Sequence, residues 1–187
     1  MPKIMIIVGS ARPDRVGLPI ARWAEGVANA HGGFEIDFAD LGEIKLPFMD
    51  EPNPPRLRQY TQQHTLDWSA RVDEAEGFIF VTPEYNHSFS PALKNALDFL
   101  AAEWWRKPVG FVSYGGAAAG SRGVTGLEPT LATLGLVRVG AEVNVPLFPG
   151  PRIVDGAFVP TDKEAAILGT LLTELELLSG ALKPAQV

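Results

Sequence analysis

Cysteine is absent from this chain of 187 residues. That removes disulfides, thiolate nucleophiles, cysteine zinc sites and iron–sulfur clusters, so any redox chemistry needs a bound cofactor. Histidine is nearly as scarce. His31, His64 and His87 stand far apart, and neither Gly-x-Ser-x-Gly nor His-Glu-x-x-His occurs, so no catalytic triad and no metal centre is expected. Long apolar runs are missing too: none approaches the roughly 20 residues that span a bilayer. The run from Ile4 to Val8 is too short for a signal-peptide core, so a cytoplasmic location away from membranes is expected. Positive charge is not in excess, and a net charge of -6 gives no reason to expect a nucleic-acid partner. Repeats, low-complexity tracts and linkers are also lacking, which leaves one domain over residues 1–187.

What the chain does have is alternation. Lys3 to Val8 is a continuous aliphatic run, as expected for a strand buried on both faces. Gly17 to Ala30 follows at helical spacing, and Phe34 to Phe38 alternates as a half-wet edge strand. Asp40 to Pro55 reads as a proline-rich loop. Arg56 to Glu76 reads as a polar helix, with Leu57, Tyr60, His64, Trp68 and Val72 facing inward. Gly77 to Val81 predicts the central strand. Ser90 is the expected cap, and Pro91 the first residue, of a helix reaching Glu103. Val109 to Ser113, a helix over Gly126 to Leu134, Val137 to Val145 and a closing helix over Asp162 to Leu182 complete the series. Such β-α repetition predicts an α/β, flavodoxin-like three-layer sandwich: a five-stranded parallel sheet of order 2-1-3-4-5 with helices on both faces.

In such a sheet the loops after strands one, three and four meet at the carboxyl edge, where ligands bind. The first loop, Gly9 to Gly17, carries the Ser10 hydroxyl, Arg12 and Arg15 at a helix start, which is an anion site. Asp14 within it is expected to point to solvent. The second is Thr82-Pro83-Glu84-Tyr85-Asn86-His87-Ser88, unusually rich in polar and aromatic side chains for a mere connection. The third is Ser113-Tyr114-Gly115-Gly116. The first loop is not Gly-x-Gly-x-x-Gly. Gly115 and Gly120 have Walker-type spacing, but Ser121-Arg122 stands where Lys-Ser/Thr is required, so both of those nucleotide sites are set aside.

Four motifs in order now match a known pattern: Gly9-Ser10-x-Arg12, Pro83-Glu84-Tyr85-Asn86, Leu93-Lys94-Asn95-Ala96-x-Asp98, and Lys107-Pro108-Val109 through Ser113-Tyr114-Gly115-Gly116. Together they resemble the NADPH-dependent FMN reductase family. The resemblance implies bound FMN, NADPH or NADH as hydride donor, and a flavin, quinone or similar small acceptor served in a second half-reaction. It also implies a homodimer or homotetramer. Carried over, Ser10, Arg12 and the Val16-Gly17-Leu18 backbone would hold the FMN phosphate. Pro83, Glu84, Tyr85 and Asn86 would line the isoalloxazine, and Ser113, Tyr114, Gly115 and Gly116 would contact its pyrimidine end. Many relatives have serine at the position of Arg15 and asparagine at that of Gly17, and Arg15 has two readings, the FMN phosphate or the NADPH 2'-phosphate.

The flavin carries the hard chemistry in such a protein, so no catalytic side chain is required. Tyr85 and His87 are auxiliary candidates: Tyr85 to pack over the cofactor, His87 to donate a proton or hydrogen bond to an acceptor. One of Trp104 and Trp105 is expected at the surface. The competing readings are a flavodoxin-type FMN electron carrier without pyridine-nucleotide activity and a binding module for another phosphorylated ligand.

Overall fold

A computed structural model describes residues 1–182. Its five-stranded sheet has the order expected, β2-β1-β3-β4-β5, and all four pairings are parallel. The strands are β1 (Lys3–Val8), β2 (Glu35–Asp40), β3 (Gly77–Pro83), β4 (Pro108–Gly115) and β5 (Val137–Pro146). Between them run α1 (Gly17–His31), the short α2 (Leu41–Ile44), α3 (Gln63–Glu74), α4 (Pro91–Asp98) and α5 (Ser121–Leu134). A small hairpin, β6 (Ile153–Val154) and β7 (Ala157–Phe158), precedes α6 (Asp162–Ala181).

Alternate residues of each strand point to opposite faces, so the aliphatic runs build two cores. Met5, Ile7, Phe78, Phe80 and Phe111 pack against Trp68, Leu93, Leu97 and Leu127 of α3, α4 and α5. Ile4, Ile6, Val8, Ile79 and Val112 pack against Ile20, Ala24, Leu168 and Leu172 of α1 and α6. Every residue of β3 is buried, which makes it the axis on which the loops at its carboxyl end are mounted.

Three helix boundaries differ from the sequence reading by more than two residues, and the short α2 lies inside the stretch expected as a loop. The long polar helix starts at Gln63, not Arg56; a 3-10 turn over Pro55–Leu57 and extended chain occupy the difference. Leu57 is therefore exposed rather than inward, and Tyr60 and His64 are half-buried, while Trp68 and Val72 are buried as expected. The Glu51 carboxylate accepts from the Thr61 amide at 2.8 Å and the Gln62 amide at 3.0 Å, taking donors that a longer helix would need. The helix after β3 stops at Asp98, and a second 3-10 turn over Ala102–Trp104 buries Glu103 and Trp104. Trp105 is the exposed tryptophan, at 57%. The helix after β4 starts five residues early, at Ser121. Its Gly123 is there for close approach: a methyl group would lie 3.1 Å from the Ser88 carbonyl oxygen.

The Glu51 contact has a pH consequence. Partial burial alone would raise this carboxyl, but its hydrogen bonds, led by the Gln62 amide, hold it down at about 2. The folded pKa lies below the ordinary 4.5, so its stabilisation is complete above pH 4.5 and disappears as pH falls toward 2. In urea titrations Glu51→Gln is expected to be less stable than the parent at pH 7, with the gap narrowing below pH 4.5 and closing only near pH 2. A gap independent of pH would remove this role.

Candidate active site

The loops after β1, β3 and β4 meet, as the topology requires, around a cleft of ≈ 320 Å³. That is within the range of about 300–1,000 Å³ usual for small-molecule sites. Ser10, Arg12, Asp14, Arg15 and Val16 line one end; Pro83, Glu84 and Tyr85 line the middle, and Tyr114, Gly115, Gly116 and Leu147 close the other side.

At the first end, Ser10 is buried and its hydroxyl shares a 2.9 Å hydrogen bond with the Tyr85 hydroxyl, tying the first loop to the second. The α1 helix begins there with no side-chain cap and no acidic residue in its first turn, so its positive end is left for a ligand. The two arginines divide. Arg15 turns its guanidinium onto the nearly buried Asp40, which the β1–β2 pairing of Val8 with Asp40 brings beside the loop. Arg12 is exposed and has no ion-pair partner among the described residues. Asp14 is exposed as expected, at a left-handed corner with φ of 50°.

The second loop is a tight corner. Tyr85 and Ser88 exchange two backbone hydrogen bonds of 2.9 Å, and Asn86 and His87 between them have φ of 50° and 66°. Positive φ at both central residues marks a type I′ turn, where Asn and His pass the left-handed region more readily than most side chains. His87 and Asn86 are exposed at its tip. Behind it, Ser90 caps α4 and also donates to the Gly9 carbonyl, fixing this helix to the first loop. The Glu84 carboxylate faces Arg122 at the start of α5, with Nε 2.7 Å from Oε1, and that guanidinium holds its pKa below the usual range. Arg122 is thus committed to Glu84.

In the third loop the Ser113 hydroxyl is buried and donates to the Ala119 carbonyl at 2.9 Å, away from the cleft. Leu18 likewise turns its side chain into the core formed with α1 and α6. Neither Ser113 nor Leu18 lines the cleft, and nor do Gly17 and Asn86. Leu147 is a lining residue the sequence reading missed: its amide donates to the Gly115 carbonyl at 2.8 Å, bringing the loop after β5 to the same edge. Its signal was positional, a fourth loop at the carboxyl end.

A phosphorylated flavin fits these residues. Among the described residues, three buried side-chain polar atoms lack a hydrogen-bond partner, and two of them, Arg15 Nε and the Tyr114 hydroxyl, belong to residues lining this cleft. Buried donors without partners are rare in folded proteins. The Arg15 guanidinium lies against Asp40 and Gly42, whereas the Tyr114 hydroxyl stands beside Gly17 at the start of α1, where a ligand in this cleft supplies an acceptor.

Comparison with known proteins agrees. Residues 2–150 match the model of the family described as NADPH-dependent FMN reductase. The chain is 37% identical over 172 residues to an NAD(P)H-dependent FMN reductase of Schizosaccharomyces pombe, covering 91% of this chain and 85% of the relative. It is 35% identical over 104 residues to a 2-hydroxy-1,4-benzoquinone reductase of a Burkholderia species, 54% of this chain and 51% of the other. In fold it resembles FerB, an NAD(P)H:(acceptor) oxidoreductase of Paracoccus denitrificans, with a TM-score of 0.76 at 19% identity, covering 97% of this chain and 99% of that one. From strand order to family match, the chain belongs to the NADPH-dependent FMN reductases, flavodoxin-like oxidoreductases that work through FMN.

Proposed function

We propose that the three-loop cleft holds FMN with its phosphate on Ser10, Arg12 and the first turn of α1, and its ring beside Pro83 to Asn86 and Gly115-Gly116. NADPH or NADH then reduces the flavin, and a flavin or quinone takes its electrons in a second half-reaction at the same open edge. The observation that carries this reading is the uncapped start of α1 with the unpaired Arg12 and the partnerless Tyr114 hydroxyl beside it. FMN, when bound, supplies the hydride chemistry.

The chain's own residues bind and orient. Arg12 supplies the uncommitted positive charge, since Arg15 is held by Asp40. Tyr85, bonded to Ser10, couples the ring side of the cleft to the phosphate side. The rigid Tyr85–Ser88 corner presents backbone to the flavin edge and leaves His87 exposed, where it can donate a hydrogen bond to an acceptor. The exposed Trp105, Phe48 and Phe148 support assembly as a homodimer or homotetramer, which light scattering would measure. The matching compartment is the cytoplasm, where NADPH is plentiful.

The test is to load the protein with FMN, remove oxygen and add NADPH. Bleaching of the bound flavin, reversed by a quinone, is the expected result. Bound flavin that NADPH leaves coloured would point instead to an electron carrier. Arg12→Ala is expected to weaken FMN binding by about 2 kcal/mol, or roughly 30-fold in Kd, through loss of a charge-assisted contact. Unchanged affinity would take Arg12 out of the phosphate site.

A further inference from the structure

The family resemblance puts Tyr114 at the pyrimidine end of the flavin, as part of the loop after β4. Its side chain goes elsewhere. A methyl group added to Gly17 would lie 2.3 Å from the Tyr114 hydroxyl oxygen and 2.9 Å from the ring carbon that bears it. The phenol is therefore seated against the first residue of α1, the helix that follows β1, although its own backbone belongs to β4. The residue is 4% exposed, and its hydroxyl has no hydrogen-bond partner; the Ser10 hydroxyl lies beside it without completing a bond of acceptable geometry.

We propose that Tyr114 donates a hydrogen bond to the FMN phosphate, making a residue of β4 part of the phosphate subsite and a determinant of the preference for FMN over riboflavin. This rests on the cleft being the FMN site. Three observations converge on it. A buried hydroxyl without a partner is costly to keep, so an acceptor that arrives with the ligand accounts for its place. Burial, the largest influence on this phenol, pushes its pKa up, so it stays an O–H donor at ordinary pH, as a phosphate dianion requires. Finally, the first turn of α1 is poor in amides. Pro19 has no N–H, and the Leu18 amide is directed at the Arg15 carbonyl at 3.4 Å, so a side-chain donor makes good what the backbone lacks. Gly17 is what permits this: any side chain there would displace the phenol.

The test is Tyr114→Phe, which keeps the ring and removes only the oxygen. FMN and riboflavin are titrated separately into parent and variant apoprotein by flavin fluorescence, and the apoproteins are melted. FMN affinity is expected to fall about tenfold or more. Riboflavin affinity should stay within about twofold, because riboflavin has no phosphate to lose a contact with. The melting temperature of the apoprotein should hold or rise, since a partnerless buried hydroxyl has been removed. Unchanged FMN affinity would overturn the proposal, and so would equal losses for both flavins, which would return Tyr114 to the ring. A drop in apoprotein stability would make the hydroxyl a structural donor and overturn it as well. If the parent itself fails to take up FMN, the cofactor reading of the cleft falls first, and that failure is distinct from a parent that binds and a variant that binds equally well.

Discussion

Glu103→Ala is expected to cost about 3–5 kcal/mol of folding stability, the range for removing one partner from a buried charged network. Its side chain is fully buried in the 3-10 turn after α4. One carboxylate oxygen accepts from Tyr60 at 2.8 Å and Ser69 at 2.7 Å and lies 3.3 Å from Arg58 Nε; the other accepts the Ala101 amide at 3.2 Å. Truncation strands several donors at once. The network joins α3 and the loop before it to the turn before β4, 34 and 43 residues further along the chain. Urea unfolding followed by tryptophan fluorescence would measure it, with buried Trp104 and Trp68 as reporters. Glu103→Gln keeps an acceptor for Tyr60 and Ser69 and should lose clearly less. A loss below about 1 kcal/mol for the alanine variant would show the network to be dispensable.

Gly120→Ala is expected to cost about 3 kcal/mol and to abolish tight FMN binding with it. Gly120 has φ of 92°, a conformation that strains any side chain by about 1–3 kcal/mol. The added methyl would also lie 2.5 Å from the Tyr114 amide nitrogen and 2.7 Å from Ser113 Cβ, and an overlap of that kind costs a further ~1–3 kcal/mol. Backbone cannot swing aside as a side-chain tip can. The loop from Gly116 to Gly120 must therefore be rebuilt, and it carries Gly116 at the cleft and packs against the backbone of Ser113 and Tyr114. Flavin titration and a denaturation curve on the same sample test both halves. A variant that folds within about 0.5 kcal/mol of the parent would show that the loop relaxes freely.

The sheet was legible because its strands are buried on both faces, so β1 and β3 appear as unbroken apolar runs and the helices between them keep their spacing. Pro91 after Ser90 marked a helix start by local chemistry alone, and the structure has it there. The start of α3 was not legible, because Arg56 to Gln62 continues a polar helical pattern. Glu51, reaching back from ten residues away, diverts the amides that would have continued it. The two arginines of the first loop looked equivalent for a similar reason. Asp40, which separates them, lies 25 residues from Arg15 and becomes its neighbour only when β2 pairs with β1. Which residues gather at the edge was therefore readable from topology. Where each side chain points, Tyr114 and Ser113 above all, depended on packing between loops that no local pattern records.

The corner at Asn86 and His87 also limits how this enzyme can change its diet. Both residues sit at positive φ, where β-branched side chains fit poorly, so drift at these positions is confined to a short alphabet of Asn, Asp, Gly and His. Leu147 on the cleft wall is free of that backbone restriction, but its side chain packs against the core beside α1 and α6, which admits only apolar replacements of similar size. Variation at this edge is therefore more open in the exposed stretch that follows Leu147, Phe148 to Gly150, than at the Asn86–His87 corner.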